Sequence, residues 1–391
     1  MFASLIGATR VAAALDFRND PYRYNVIEWE LHNFPAKWLY EFGELFRAGR
    51  SRDQQDRDLL RFFELAREIE VLERDLGDVA MGGVAGRQRA GELEARYRER
   101  GRLENGVEDS IEGRVTAMLK AEGITTPLPI LGDMLWPPVD FEFADSPRSL
   151  VVSPRDRIEL IDSYLLRADL DLGEIEQIED RRAEDDGVST LAFETGGIGA
   201  YPTIIAYSEG YRTTLERVAH EWAHNYLFFQ PLGFNYYDNN DLRTMNETVA
   251  DIAGHDVANA VIARWPLEAP TSEPPMDRTG PQVDVRAELR QLRGEVDALL
   301  AEGAIEEAEA LMEQRRRELA DSGIYFRKLN QAYFAFTNLY AGEAGAPGAT
   351  NPIGPKLDEL RRRSASLRDF ILVVQDFTSV AQLDRWLTEG Q

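Results

Sequence analysis

Thr213-Thr214-Leu215-Glu216-Arg217-Val218-Ala219-His220-Glu221-Trp222-Ala223-His224-Asn225-Tyr226-Leu227-Phe228-Phe229 is the stretch on which the reading of this chain turns. Leu215, Val218, Ala219, Trp222, Ala223, Tyr226 and Leu227 recur with the helical period of about 3.6 residues, and no Pro or Gly interrupts them. The stretch therefore predicts a helix. Inside it, His220 and His224 use two of the chain's only 4 histidines. One helical turn separates them, so both imidazoles lie on one face and can bind a single metal ion, with Glu221 beside them to handle a proton. A chance match of this five-residue pattern has a probability on the order of a few in a thousand. The bland alternative is a buried helix whose two histidines are merely hydrogen-bonded.

The residues downstream weaken that alternative. Turn-formers follow, Gln230-Pro231-Leu232-Gly233 and then Asp238-Asn239-Asn240-Asp241, before a second helical stretch from Leu242 to Gly254. On it Glu247 and Asp251 are four apart and share a face, while Met245, Val249 and Ile252 supply apolar contacts. A catalytic zinc takes three protein ligands and keeps one position open, which His220, His224 and Glu247 would satisfy. Asp251 is placed to hold the second ring nitrogen of a ligating histidine. A Glu-x-x-x-Asp pair alone is usually a solvated face. After the His helix, across a loop that lets the chain reverse, it predicts two antiparallel helices that bring the ligands together.

With these residues the chain resembles the gluzincin group of metallopeptidases, the thermolysin-like arrangement, over about its central third. The resemblance rests on His-Glu-Trp-Ala-His at 220–224 and Asn-Glu-Thr-Val-Ala-Asp at 246–251. It implies one zinc ion per chain, His220, His224 and Glu247 as its ligands, Glu221 as general base and Asp251 as an outer carboxylate. The wider chain is similar to a little-characterised bacterial group of such proteins, through Gly196-Gly197-Ile198-Gly199-Ala200-Tyr201-Pro202 and Arg327-Lys328-Leu329-Asn330-Gln331-Ala332-Tyr333-Phe334. One departure matters. No histidine follows His255, so the downstream histidine that helps stabilise the transition state in thermolysin has no counterpart.

His255 lies eight residues past Glu247, about 12 Å along a straight helix, too far to share the metal. It reads as structural, as does His32, which has no ligand-like neighbour. A hydrolase without the downstream histidine needs another hydrogen-bond donor for the oxyanion. The candidates are Tyr236 and Tyr237 in the inter-ligand loop and Tyr333 and Tyr340 in the aromatic segment Tyr325–Tyr340. Tyr333 is favoured, because Asn330, one turn before it, could orient substrate on the same face. An aromatic stripe at helical spacing is nevertheless most often core.

The 391 residues call for one large or two to three modest domains. A net charge of -25 argues against nucleic-acid binding, since a phosphate backbone would be repelled. With no cysteine, disulfides, thiolate metal ligands and thiol nucleophiles are excluded. The apolar run Phe2–Leu15 is short and carries Arg10, so it cannot span a bilayer as written. It leaves membrane association through an N-terminal segment open, and with it the choice between cell envelope and cytoplasm.

The fold expected is α+β in three parts. Residues 1–125 form a helical N-terminal region with apolar stripes Trp38–Phe46 and Leu59–Ala66, then a long, mostly solvated helix from Arg87 to Leu119. Residues 126–265 form a zincin core with a small mixed sheet. Its strands are expected at Val139–Phe143, Ser149–Val152, Ser189–Phe193 and Ile198–Tyr207, with a helix at Leu172–Ala183. Residues 266–391 form a helical lobe with a hairpin at Val283–Leu300 and Ile305–Leu319 and two short helices near the end. In a zincin the strand before the His helix pairs with an extended substrate. Gly196, Gly197 and Gly199 would permit that approach, making Gly199, Ala200 and Tyr201 substrate contacts with Asn330; alternatively the glycines only make a turn. The function expected is zinc-dependent hydrolysis of a peptide or protein substrate. The competing readings are a non-catalytic interaction module on a zincin fold, which an intact Glu221 disfavours, and a metal-dependent hydrolase of a non-peptide amide.

Overall fold

The computed structural model describes residues 21–24, 51–77, 84–128, 132–207, 210–267, 284–339 and 351–390. The N-terminal apolar run, His32, the Trp38–Phe46 stripe and Tyr340 lie outside them. The described residues form helices and three small sheets, an α+β arrangement.

Two long helices open it, α1 (Arg52–Gly77) and α2 (Val84–Ala121). The expectation that α2 is mostly solvated fails over its C-terminal half. Val107, Ile111, Val115 and Leu119, spaced four apart, are fully buried in the main core with Leu59 and Phe62 of α1. Charged residues between them hid this stripe in the sequence. Two carboxylates on α2 also do structural work. Glu112 accepts the backbone N–H of Phe141 at 2.9 Å and Glu108 that of Phe143 at 2.8 Å, so the helix covers a strand edge whose donors need partners.

A two-stranded ribbon, β1 (Thr126–Leu128) with β2 (Gly132–Met134), leads to that strand, β3 (Phe141–Phe143). Next come β4 (Arg148–Pro154), β5 (Asp162–Leu166), α3 (Leu172–Asp186) and β6 (Val188–Glu194). They build an antiparallel sheet ordered β5-β4-β6. β5 was not expected, since Asp-Ser-Tyr-Leu-Leu has no clean alternation. The strand expected at Ile198–Tyr207 divides into β7 (Gly197–Ile198) and β8 (Thr203–Ile205), antiparallel partners joined through residues 199–202. β8 also pairs in parallel with β3, which gives a mixed sheet ordered β3-β8-β7 with β7 at its edge.

The His helix is α4 (Tyr211–Leu227) and, after one short turn α5 (Pro231–Phe234), the helix that carries Glu247 and Asp251 is α6 (Asn240–Arg264). Asn239 caps α6 by accepting from Leu242 N at 2.9 Å. α6 runs ten residues beyond its expected end at Gly254, and every residue from Thr244 to Gly254 is buried. It is thus a central helix with neighbours on all sides. α4 packs against it, and Leu215, Val218, Ala219 and Trp222 are buried in the same core. Trp222, 2% exposed, donates Nε1 to the Pro137 carbonyl at 2.8 Å and ties the helix to the segment before β3. Truncating so buried an indole costs about 3–5 kcal/mol.

The C-terminal third follows as α7 (Val285–Ala301), α8 (Ile305–Asp321), α9 (Gln331–Thr337), α10 (Ile353–Arg363), α11 (Leu367–Val374) and α12 (Val380–Glu389). The helical hairpin of α7 and α8 stands where expected. The end of the chain holds three helices rather than two. The main core joins buried residues of α10–α12 to those of α1, α2, α4 and α6. A second core lies between α7–α9 and one face of the β5-β4-β6 sheet, which offers Val151 and Leu191. No described helix is long and apolar enough to cross a membrane.

Candidate metal centre

α4 and α6 approach more closely than two ordinary helices can. A Cβ on Gly254 of α6 would stand 2.6 Å from the Glu216 carbonyl of α4 and 3.4 Å from Cβ of His220. The missing side chain lets the faces that carry His220, His224 and Glu247 meet. As a result His220, His224 and Glu247 each offer one ligand atom, and these lie within 4.8 Å of one another. The two Nε2 atoms are 3.0 Å apart, and Glu247 Oε2 is 3.6 Å from that of His220 and 3.4 Å from that of His224.

The opposite ring nitrogens are both engaged. Nδ1 of His220 lies 2.9 Å from Asp251 Oδ1, where the resemblance places an outer carboxylate. Nδ1 of His224 lies 2.7 Å from Asn246 Oδ1. Sequence reading missed Asn246. Its signal was its place immediately before the ligand glutamate. Each acceptor oxygen draws the ring proton to Nδ1 and leaves a lone pair on Nε2 facing the other donors. Three electron-rich atoms aimed at one point repel unless a positive charge sits among them, so the residues present fit a cation. Two imidazole nitrogens and one carboxylate oxygen are a donor set suited to zinc.

The electrostatics follow from the same crowding. Burial by itself would lower the His220 pKa, but hydrogen bonds to Asp251 and Glu247 outweigh it and hold the pKa well above the ordinary value. His224 is raised too, with Glu247 overcoming burial. Burial pushes Glu247 up, yet both histidines hold it well below the usual carboxylate range. A proton is thus the competitor of a metal ion here. Glu221, 8% exposed, behaves oppositely: burial raises its pKa, with Glu247 and Asp251 adding to the rise and His220 and His224 opposing it. A carboxylate raised in this way is a stronger base than a solvated one, the direction a general base requires.

The edge strand comes right up to Glu221. A Cβ on Gly197 would lie 2.8 Å from its Oε1, and one on Gly199 would lie 3.5 Å from its Oε2 and 3.8 Å from Cβ of His224. Gly199 is exposed beside the site, in the connection to β8. Ala200 in that connection is fully buried, its carbonyl 3.3 Å from the Thr203 hydroxyl, so its side chain faces the interior and not a substrate. Tyr201 is half-buried in the same turn.

Tyr333 and Asn330, expected as oxyanion donor and substrate contact, have their observed partners outside the cluster. Tyr333, 8% exposed, packs in the second core with its ring 5.7 Å from that of Phe326 and 5.4 Å from that of Phe334. Burial lifts its hydroxyl pKa to about 12. Asn330 caps α9, accepting from Tyr333 N at 3.0 Å and donating to the Thr190 carbonyl at 2.9 Å. Among the described residues, Tyr236 reaches the cluster, its hydroxyl donating to Glu247 Oε1. Tyr237 is 56% exposed and stacks edge-on against it. His255 is exposed and its Nδ1 lies 2.9 Å from the Asp251 carbonyl, one turn back on its own helix, which is a structural contact.

Compared with known proteins, the chain matches no family model, no curated protein and no solved structure.

Proposed function

We propose that this chain is a zinc-dependent hydrolase of zincin type, of the gluzincin kind, acting on peptide bonds. The observation that carries the reading is the convergence of His220 Nε2, His224 Nε2 and Glu247 Oε2 with both Nδ1 atoms pinned by acceptors. A zinc ion held there would supply Lewis acidity, lowering the pKa of water and carrying negative charge that develops on a carbonyl oxygen. The protein's own groups account for the rest. Glu221 takes a proton at its buried carboxylate and returns it to the leaving nitrogen, which its raised pKa favours. The edge of β7 offers backbone groups to an extended peptide. Because Gly197 carries no side chain, β7 itself can lie close against Glu221 and hold a peptide paired to it near that carboxylate.

The test combines metal analysis with cleavage of a diverse peptide library. The wild type should hold one zinc per chain, and His220→Ala or His224→Ala should lose it while His255→Ala keeps it. Glu221→Gln should keep zinc and fold but lose turnover by several orders of magnitude, since the amide has the same shape and no basic oxygen. Stoichiometric metal in His220→Ala would overturn the ligand assignment. A wild type that binds zinc and cleaves no peptide would return the molecule to the interaction-module or non-peptide reading.

A further inference from the structure

Glu247 is held by more than the two histidines. Its two oxygens have separate duties: Oε2 faces both Nε2 atoms, while Oε1 accepts the Tyr236 hydroxyl. Tyr236 is itself fixed, because Arg243 donates Nε to its hydroxyl oxygen at 3.1 Å and places its guanidinium 5.3 Å from the ring centroid. The guanidinium reaches on to Ser163 Oγ of β5 at 3.3 Å. Arg243, Glu247 and Asp251 are spaced four apart on α6 and therefore share one face. The arginine thus links the β5-β4-β6 sheet to the ligand carboxylate through one phenol.

We infer that Arg243 and Tyr236 are positioning residues that make Glu247 a one-oxygen ligand. A phenol has a single hydrogen to donate, and here it goes to Oε1, which keeps that oxygen turned away from the other donors. Without it the carboxylate is free to rotate until both oxygens face the metal. The second oxygen would then fill a position that water or substrate must use. Arg243 acts on the ligand carboxylate by holding Tyr236, to whose hydroxyl oxygen it donates. Loss of such an outer partner typically costs about 10- to 100-fold in activity or metal affinity.

This inference rests on the metal-site reading above, and the experiment separates the two. Cobalt(II) replaces zinc in the full chain, and its visible absorption reports coordination number, strong for four-coordinate and weaker for higher. Arg243→Met and Tyr236→Phe should both bind one cobalt, with absorption per cobalt several-fold below wild type. Their kcat on a peptide cleaved by the wild type should fall about 10- to 100-fold with KM little changed. Arg243→Lys, which keeps an N–H for the phenol, should recover much of both signals. A thermal melt guards against a folding defect, and Ser163→Ala, which leaves the Arg243–Tyr236 contact in place, should disturb the spectrum less than Arg243→Met does. Wild-type spectra in both Arg243→Met and Tyr236→Phe would overturn the inference while leaving the metal site standing. Failure of the wild type to bind cobalt or zinc would overturn both.

Discussion

Replacing Gly197 by Ala adds one methyl group at the place where the edge strand meets the candidate base. The new Cβ would sit 2.8 Å from Glu221 Oε1, 2.9 Å from its Cγ and 3.0 Å from the Ile204 carbonyl oxygen. Comfortable contact begins near 3.5 Å, so something must retreat by about 0.7 Å. The Ile204 oxygen belongs to the β7–β8 ladder, where Ile198 faces Ile204, and cannot yield without unpairing the strand. Glu221 must therefore give way, and at 8% exposure it has little room to do so. Overpacking of this kind costs about 1–3 kcal/mol of stability. A catalytic group displaced by close to 1 Å loses about 100-fold in rate. The three atoms nearest the methyl belong to Glu221 and Ile204 rather than to His220, His224 or Glu247, so metal content should stay at the wild-type level. The assay is kcat and KM on a cleaved peptide, metal per chain and a thermal melt, run on Gly197→Ala beside Gly199→Ala. At Gly199 the nearest atoms are 3.5, 3.7 and 3.8 Å away, which is ordinary contact, so its loss should be much smaller and fall mainly on KM. Wild-type kcat and melting temperature in Gly197→Ala, or equal losses in the two variants, would refute the steric argument and with it the placement of Glu221 under the strand.

Asn246→Ala removes the oxygen that orients His224 and should weaken zinc binding about 10- to 100-fold, read by competition with a chelator of known affinity. Tyr333→Phe should leave kcat at the wild-type value, because the ring is packed among Phe193, Phe326 and Phe334 in the second core; a hundredfold loss there would support the oxyanion role instead. Glu179 supplies a pH-dependent test of stability. Its side chain is fully buried; burial raises its pKa, but Arg327 and Lys328 and the Ala192 N–H outweigh this and depress it. A depressed carboxylate contributes stability that is present above its unfolded value of 4.5 and is lost as pH falls through the lower folded value. Glu179→Gln should therefore cost about 3 kcal/mol at pH 7, and the gap to wild type in melting temperature should close as the pH is taken below 4.5. A gap independent of pH would mean that shape, not charge, matters at that position.

What the sequence determined by itself are the features set by neighbours along the chain. The period of residues 213–229 makes α4, and a four-residue step on a helix puts His220 beside His224 and Glu247 beside Asp251 whatever the rest of the chain does. The short strand-like runs Ser149–Val152 and Ser189–Phe193 and the Gly303 break between two charged helices were legible for the same reason. Tertiary structure decided what depends on which surface lies opposite. α2 reads as solvated until α1 and α6 close on Val107, Ile111 and Val115, because burial belongs to the pair of surfaces and not to the helix. β5 needs β4 as a partner to be a strand at all. The choice of tyrosine shows the limit most directly. Tyr236 and Tyr333 are alike as side chains, and only the path of the loop after α5 carries the first to Glu247, while the packing of α9 on the sheet keeps the second among Phe193, Phe326 and Phe334. Local spacing fixes which residues share a face, and the long-range fold fixes what that face meets.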